Sequence, residues 1–364
     1  MTTSLFDPIK LGAIHAPNRI LMAPLTRGRS EGAHVPISAL KADYYSQRAS
    51  AGLVIAEATG ISQEGLGWPS APGIWSAEQV EAWKPVTEAV HKADGQIILQ
   101  LWHMGRLVHP DFLGGAQPVS SSATTAPGYA HTANGKKDYV EARALRRDEI
   151  PRLIGDYVNA AKNAMKAGFD GVQIHSANGY LIDQFLRDNA NFRDDDYGGS
   201  IDNRIRLLRE VTSAVVGEVG AARTSVRLSP NGESQGADDS NPVPLFTAAA
   251  AALQELEIAF LELREIKNFG NFGRTDVPRV SPEIRRVFSN PLVLNQEYTL
   301  ESATKDLASG LADAISFGRP FISNPDLPAR LRSGAELTPD NYKTWYSAGP
   351  EGYVDYPVLE PVVT

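Results

Sequence analysis

Eight short runs of apolar residues recur along the chain, each bounded by turn-forming residues. They are RILMAPLT (19–26), LVIAEATG (53–60), IILQLWH (97–103), GVQIH (171–175), TSVRLSP (224–230), AFLELRE (259–265), PLVLNQ (291–296) and AISFGR (314–319). Runs this continuous suit strands buried on both faces, as in a parallel sheet. Amphipathic segments lie between them. Residues 76–95 offer Ser76 as an N-cap and Gly95 as a stop, and further helical stretches end at Gly168, Gly220 and Gly310. Alternating strand and helix means right-handed parallel crossovers. Eight such strands predict an α/β fold, a closed (β/α)8 TIM barrel, ahead of an open doubly wound sheet.

Two segments break the rhythm. FDPIKLGAIHAPNRI predicts a small N-terminal hairpin closing the barrel floor. The stretch from Met104 to Arg147, after strand three, is rich in Gly, Pro, Ser and Thr and predicts a long loop or lid. Trp75 and Trp83, at i,i+8, are expected on one helix and in the core.

The chain has 364 residues, a net charge of −8 and no cysteine. One barrel domain spanning residues 1–364 is expected. The absence of a basic stripe argues against a nucleic-acid partner. Lack of cysteine excludes disulfides, zinc–thiolate sites and a thiol nucleophile. No signal peptide and no membrane span is expected, so the protein is read as cytoplasmic. Nothing specifies an oligomeric state.

Barrel enzymes place their sites at the C-terminal strand ends. Those ends hold Pro24, Leu25 and Thr26; Ala58 and Thr59; Gln100, Trp102 and His103; His175; Arg227; Asn295; and Gly318 with Arg319. Neutral donors with two arginines suit an uncharged aromatic ring carrying a phosphate. Gly318 and Arg319 suit the phosphate, since loops after strands seven and eight often bind one; a surface turn is the alternative. Arg227 in a buried strand must be paired, with Glu57 or Glu262, or must face developing charge. Gln100 offers both donor and acceptor to a pyrimidine-like edge, or to a core hydrogen bond.

His175, Asn178 and Tyr180 follow one another at the end of strand four. In a helical turn, His175 and Asn178 share a face and donate to one oxygen, and Tyr180 delivers a proton. The alternative is an Asn178 N-cap beside a core histidine and a packing tyrosine. RDDDYGGS lacks calcium-loop spacing, and His103 with His109 lack a third ligand, so no metal is expected. Arg193 and Tyr197 are read as structural.

NRILMAPLTR, EATGIS, QLWHMGR, GFDGVQIHSANGYLIDQFLRDNANFRDDDYGGS, RLSP and FGRPFISNPDL occur in that order. Together they resemble the Old Yellow Enzyme family of FMN-dependent ene-reductases, from Leu5 to Pro357. The resemblance implies FMN at the barrel mouth, tightly but non-covalently held. NADPH or NADH would reduce it and leave, and an electron-poor alkene (an unsaturated aldehyde, ketone, imide or nitroalkene) would then enter, a ping-pong cycle. It implies that Pro24, Thr26, Ala58, Gln100, Arg227, Asn295, Gly318 and Arg319 contact FMN. His175 and Asn178 would polarise the substrate oxygen and Tyr180 would protonate carbon. Trp68, Trp102 and Tyr346 would line the substrate pocket. Trp68 stands where many members have tyrosine, and LNQEYT lacks a glycine common after strand seven. Thr26, with no cysteine anywhere, fits the classical branch. A flavin-binding NADPH oxidase or redox sensor without an alkene substrate, and a flavin-free lyase or isomerase of a phosphorylated substrate, are the rivals.

Overall fold

All eight apolar runs form strands, and the strands close on themselves. They are β1 (Ile20–Met22), β2 (Leu53–Gly60), β3 (Ile97–Trp102), β4 (Gly171–His175), β5 (Thr224–Leu228), β6 (Phe260–Arg264), β7 (Leu292–Asn295) and β8 (Ala314–Phe317). Each pairs in parallel with the next, and β8 pairs with β1. The computed structural model describes residues 3–267 and 275–359. Helices α1 (Ser38–Ser46), α2 (Ala77–Lys92), α3 (Ile150–Lys166), α4 (Arg206–Val219), α5 (Pro242–Glu255), α6 (Ser281–Val287), α7 (Leu300–Ala308) and α8 (Leu327–Ser333) follow the strands in turn. This is the (β/α)8 barrel that the alternation predicts.

Local chemistry sets the helix ends. Ser76 caps α2 in a capping box with Gln79. Trp75 therefore lies before the helix rather than on it, and only Trp83 is fully buried. Run one overshoots: β1 stops at Met22, and residues 23–26 continue as irregular chain.

The floor hairpin pairs Ile9–Leu11 with Ile14–Ala16. Its Leu11 and Ile14 pack under Leu21, Leu53, Ile98 and Phe260 from the strands. That leaves the opposite, C-terminal end of the barrel open for a site.

The 104–147 excursion is built rather than loose. A hairpin pairs Tyr129–Thr132 with Gly135–Asp138, and Val119–Ser120 runs parallel to Arg143–Ala144. Gln184 fastens its start, accepting from the Arg106 backbone at 3.2 Å and Ser120 Oγ at 2.8 Å while donating to the Met104 carbonyl at 3.1 Å. Gly105 must be glycine there, because a Cβ would sit 2.2 Å from Gln184 Oε1. Arg143, at the far end of the excursion, bonds Glu149 at 2.7 Å and approaches Glu64 at 3.7 Å.

Glu64 joins this excursion to α3. His103, 4.0 Å away, and Arg152, donating at 2.6 Å, pull its carboxyl down to about 2. A carboxyl depressed by folding stabilises above its ordinary value of 4.5. That stabilisation is lost as pH falls from there toward about 2. Glu64→Gln should therefore cost ~1 kcal/mol at neutral pH, the pair being partly exposed. In thermal denaturation the difference from wild type should shrink as pH falls through that window. A difference independent of pH would exclude the charge as its source.

Candidate active site

The open end of the barrel holds a cavity of ≈ 830 Å³, a volume that suits a cofactor. Pro24, Thr26, Ala58, Trp68, Gln100, Trp102, His175, Asn178, Tyr180, Arg227, Asn295, Gly318, Arg319 and Tyr346 all line it. The residues that the resemblance implies for flavin and substrate thus line one cavity.

A buried carboxylate organises one wall. Glu262 on β6 accepts from Arg227 Nη1 at 2.5 Å, Gln173 Nε2 at 2.9 Å and Ser316 Oγ at 2.5 Å. Of the two acids considered for Arg227, Glu262 is the one that pairs; Glu57 is taken by Lys41. Arg227 Nη2 also donates to Asn295 Oδ1 at 2.8 Å, and Asn295 Nδ2 to the Ser316 carbonyl at 2.8 Å. The Asn295 side chain is therefore occupied in holding Arg227. Gln100 Nε2 donates to Gln173 Oε1 at 2.7 Å, and its own carbonyl oxygen has no hydrogen bond among the described residues. Arg227 Nε and Trp102 Nε1 are buried donors without a partner among the described residues. Buried donors are normally satisfied, so these two point to a polar guest. A flat heterocycle with acceptor edges fits this donor set.

The wall around Arg319, where a phosphate is expected, has two features of its own. Arg319 bonds Glu297 at 2.9 Å, so an anion there must share Arg319 with a carboxylate. The loop without glycine still turns through the left-handed region, with φ +99° at Gln296 and +51° at Glu297, conformations that strain non-glycine residues.

The turn after β4 is not helical. Asn178 has φ +59° and Gly179 +77°, and a Cβ on Gly179 would meet the Ser234 carbonyl at 2.3 Å. The next helix, Leu181–Leu186, begins after Tyr180 and has no side-chain cap. Asn178 is thus neither an N-cap nor on a helical face with His175. Its backbone N–H donates to Ser229 Oγ at 2.8 Å, and its Oδ1 accepts from Arg264 at 2.9 Å.

The backbone fixes the His175 tautomer. Nδ1 accepts from the Ala177 N–H at 3.3 Å, so the proton of a neutral ring sits on Nε2. Burial, reinforced by the Arg227 and Arg264 cations, holds its pKa well below 6.5. The ring is a neutral donor. Tyr180 packs edge-on against Trp102 at 5.0 Å and His175 at 4.8 Å. Its burial pushes the phenol up to about 12, which keeps its proton at neutral pH.

Trp68 lies 5.3 Å from the Tyr346 ring and 5.5 Å from His131 of the excursion hairpin. The chain carrying Tyr346 is clamped by Arg27, which donates to the carbonyls of Trp345 and Gly352 at 2.9 and 2.7 Å. Tyr353 from EGYVDYP stacks on Tyr44 at 4.1 Å. Arg193 holds the Ser121 and Leu145 carbonyls at 3.0 and 2.6 Å, and Tyr197 bonds Glu210 at 2.8 Å, both structural tasks.

Residues 4–338 match the model of the NADH:flavin oxidoreductase / NADH oxidase family. The old yellow enzyme homologue from Zymomonas mobilis is 63% identical, with a TM-score of 0.97, covering 98% of this chain and 100% of that one. Morphinone reductase, solved in complex with tetrahydroNAD, is 41% identical, with a TM-score of 0.93 and 98% of each chain covered. 12-Oxophytodienoate reductase 1 of Oryza sativa subsp. japonica is 42% identical over 98% of this chain and 94% of its own.

The chain belongs to the Old Yellow Enzyme family. It is an FMN-dependent oxidoreductase that reduces activated C=C bonds with a nicotinamide. Three polar residues of this Old Yellow Enzyme escaped the sequence reading. Gln173 and Ser316 lie inside apolar runs, where a polar residue facing into a barrel is itself a signal. Arg264 ends β6, one residue before the end of run six, and that strand end is as much a signal as the others.

His175 should keep its neutral Nε2–H form as pH falls through 6.5, where an ordinary histidine takes up a proton, which nitrogen-resolved NMR of the labelled ring can follow. A ring titrating near 6.5 would contradict its burial beside two arginines.

Proposed function

We propose that the enzyme is an NADPH-dependent ene-reductase in which His175 and Asn178 grip the substrate oxygen and Tyr180 protonates the adjacent carbon. The observation that carries this is the turn after β4, where two neutral donors and a protonated phenol line the cavity with the Arg227–Glu262 wall.

FMN, tightly but non-covalently held, supplies the hydride chemistry when bound. Arg227 Nε and the Gln100 carbonyl would face its polar edge, with Pro24, Thr26 and Ala58 alongside and Gly318 and Arg319 at its phosphate. Asn295 would contribute by fixing Arg227. A cation beside that edge favours the charge that collects on reduction.

His175 Nε2–H and the Asn178 amide would donate to a carbonyl or nitro oxygen, drawing electrons from the β-carbon. Donors preset in a dry site lose little to reorganisation. Tyr180 holds its proton until carbanion character develops at the α-carbon. Trp68, Trp102 and Tyr346 would confine the alkene, and Trp68 in place of tyrosine would reshape that wall. Shared use of one cavity by nicotinamide and alkene gives ping-pong kinetics.

NADPH as reductant is supported by the excursion hairpin. Its His131 touches Trp68, and Lys136, which bonds the neutral Tyr129 hydroxyl at 2.8 Å, offers a cation to a 2′-phosphate, while Lys137 is paired with Asp111. Cytoplasmic work fits that reductant.

The purified enzyme should be yellow, with a flavin spectrum bleached by NADPH and restored by an enone or nitroalkene under anaerobic conditions. Bleaching that only oxygen reverses would favour the oxidase reading. Replacing both His175 and Asn178 should weaken phenol binding and cut enone turnover by ~10²–10³ with FMN retained; unchanged phenol affinity would remove the two donors from the oxygen site. Tyr180→Phe should slow the enone half-reaction on the order of 10² and leave flavin reduction near wild type in stopped flow. Slowing of both halves alike would point to a packing role.

A further inference from the structure

Arg264 is the last residue of β6 and lines the cavity. Its Nη1 donates to Asn178 Oδ1 at 2.9 Å and its Nε to Gln296 Oε1 at 3.1 Å. Both partners are neutral amides. Among the described residues no carboxylate pairs with Arg264, and no hydrogen bond engages its Nη2. Arg227, by contrast, pairs directly with Glu262, and Arg319 with Glu297. Arg264 is therefore a cation in the cavity wall with no carboxylate in direct contact among the described residues; the acid whose charge reaches it, Glu297, is bonded to Arg319.

A guanidinium only donates. An asparagine amide has one accepting and one donating end, and the two ends nearly match in shape. By taking the oxygen, Arg264 leaves the Nδ2 hydrogens as the end of Asn178 available to a guest. With a neutral residue at position 264, nothing on this side of the amide would oppose a flip that offers a carbonyl to the substrate oxygen.

We propose that Arg264 is a positioning and specificity-determining residue, which locks Asn178 as a donor and biases the cavity toward ligands whose bound oxygen carries negative charge. The proposal rests on the assignment of His175 and Asn178 as the oxygen-binding donors. It predicts that affinity rises more steeply with phenol acidity when Arg264 is present than when it is replaced, and that unsaturated carbonyl or nitro compounds carrying a second anionic group are favoured over neutral ones of equal size. Burial and the neighbouring Arg227 lower the Arg264 pKa only to about 10, so the charge persists at neutral pH.

Three substitutions separate the two effects. Arg264→Lys keeps a charged donor, Arg264→Gln keeps a donor without charge, and Arg264→Met keeps neither. Binding of a series of para-substituted phenols of graded acidity would be followed by absorbance titration of the FMN-loaded enzyme, with flavin content measured alongside. Arg264→Met should weaken the most acidic phenols by on the order of ten-fold or more, the scale of one charge-assisted hydrogen bond. Flavin content should be unchanged. Arg264→Lys should recover most of that loss. Arg264→Met, which frees the Asn178 amide, should also slow neutral-enone turnover, and Arg264→Gln should recover that turnover but not the dependence on phenol acidity. Wild-type affinity and acidity dependence in Arg264→Met would overturn the proposal. So would equal losses in all three variants together with lost flavin, which would mark Arg264 as structural. Asn178→Ala serves as the reference: if it leaves phenol affinity intact, the oxygen-site assignment itself fails, whereas a loss in Asn178→Ala without one in Arg264→Met defeats only the proposal for Arg264.

Discussion

The active-site wall depends on one buried ion pair, Arg227 with Glu262. Both groups sit on barrel strands with little exposure, and neighbouring strand positions place them side by side, Arg227 opposite Glu262 in the β5–β6 register. Removing one member of such a pair strands a buried charge, at roughly 3–5 kcal/mol. The pair is worth keeping because of what it organises. Glu262 also collects Gln173 and Ser316, Gln173 orients Gln100, and Arg227 orients Asn295. One carboxylate thus sets the direction of polar side chains on five strands, and leaves Arg227 Nε without a partner among the described residues.

A second layer of control comes from the segments outside the barrel. Gln184 ties the excursion after β3 to the turn that carries His175, Asn178 and Tyr180, donating to the Gly179 carbonyl at 2.8 Å as well as to Met104. Arg27 and Arg29 clamp the C-terminal chain that brings Tyr346 to the mouth. The rim is therefore held by side chains that never need to touch a substrate. This is how irregular chain achieves the rigidity that donors of fixed direction require.

Much of the fold was legible in the chain itself. Strands buried on both faces need continuous apolar runs, so their positions showed in the pattern, and helix ends were marked by Ser76 and by glycines. The strand-end rule then located most of the wall. It went astray where side-chain direction rather than position mattered. His175 and Asn178 were placed together for the wrong reason, since the turn is left-handed rather than helical. Nothing along the chain marks Glu297 as the partner of Arg319, which only the fold sets beside it, and the long Gly- and Ser-rich stretch gave no sign of its hairpin.

By itself the sequence determined the barrel, the order of its strands and the residue types that gather at its mouth, because burial periodicity and backbone stereochemistry are local properties. Only the tertiary structure decided which way those residues face. The choice of Glu262 over Glu57 for Arg227, the proton on Nε2 of His175 and the amide end that Asn178 turns to Arg264 each depend on a partner from a distant strand or turn. Hydrogen bonds are directional, and direction is settled by packing across the barrel rather than along the chain.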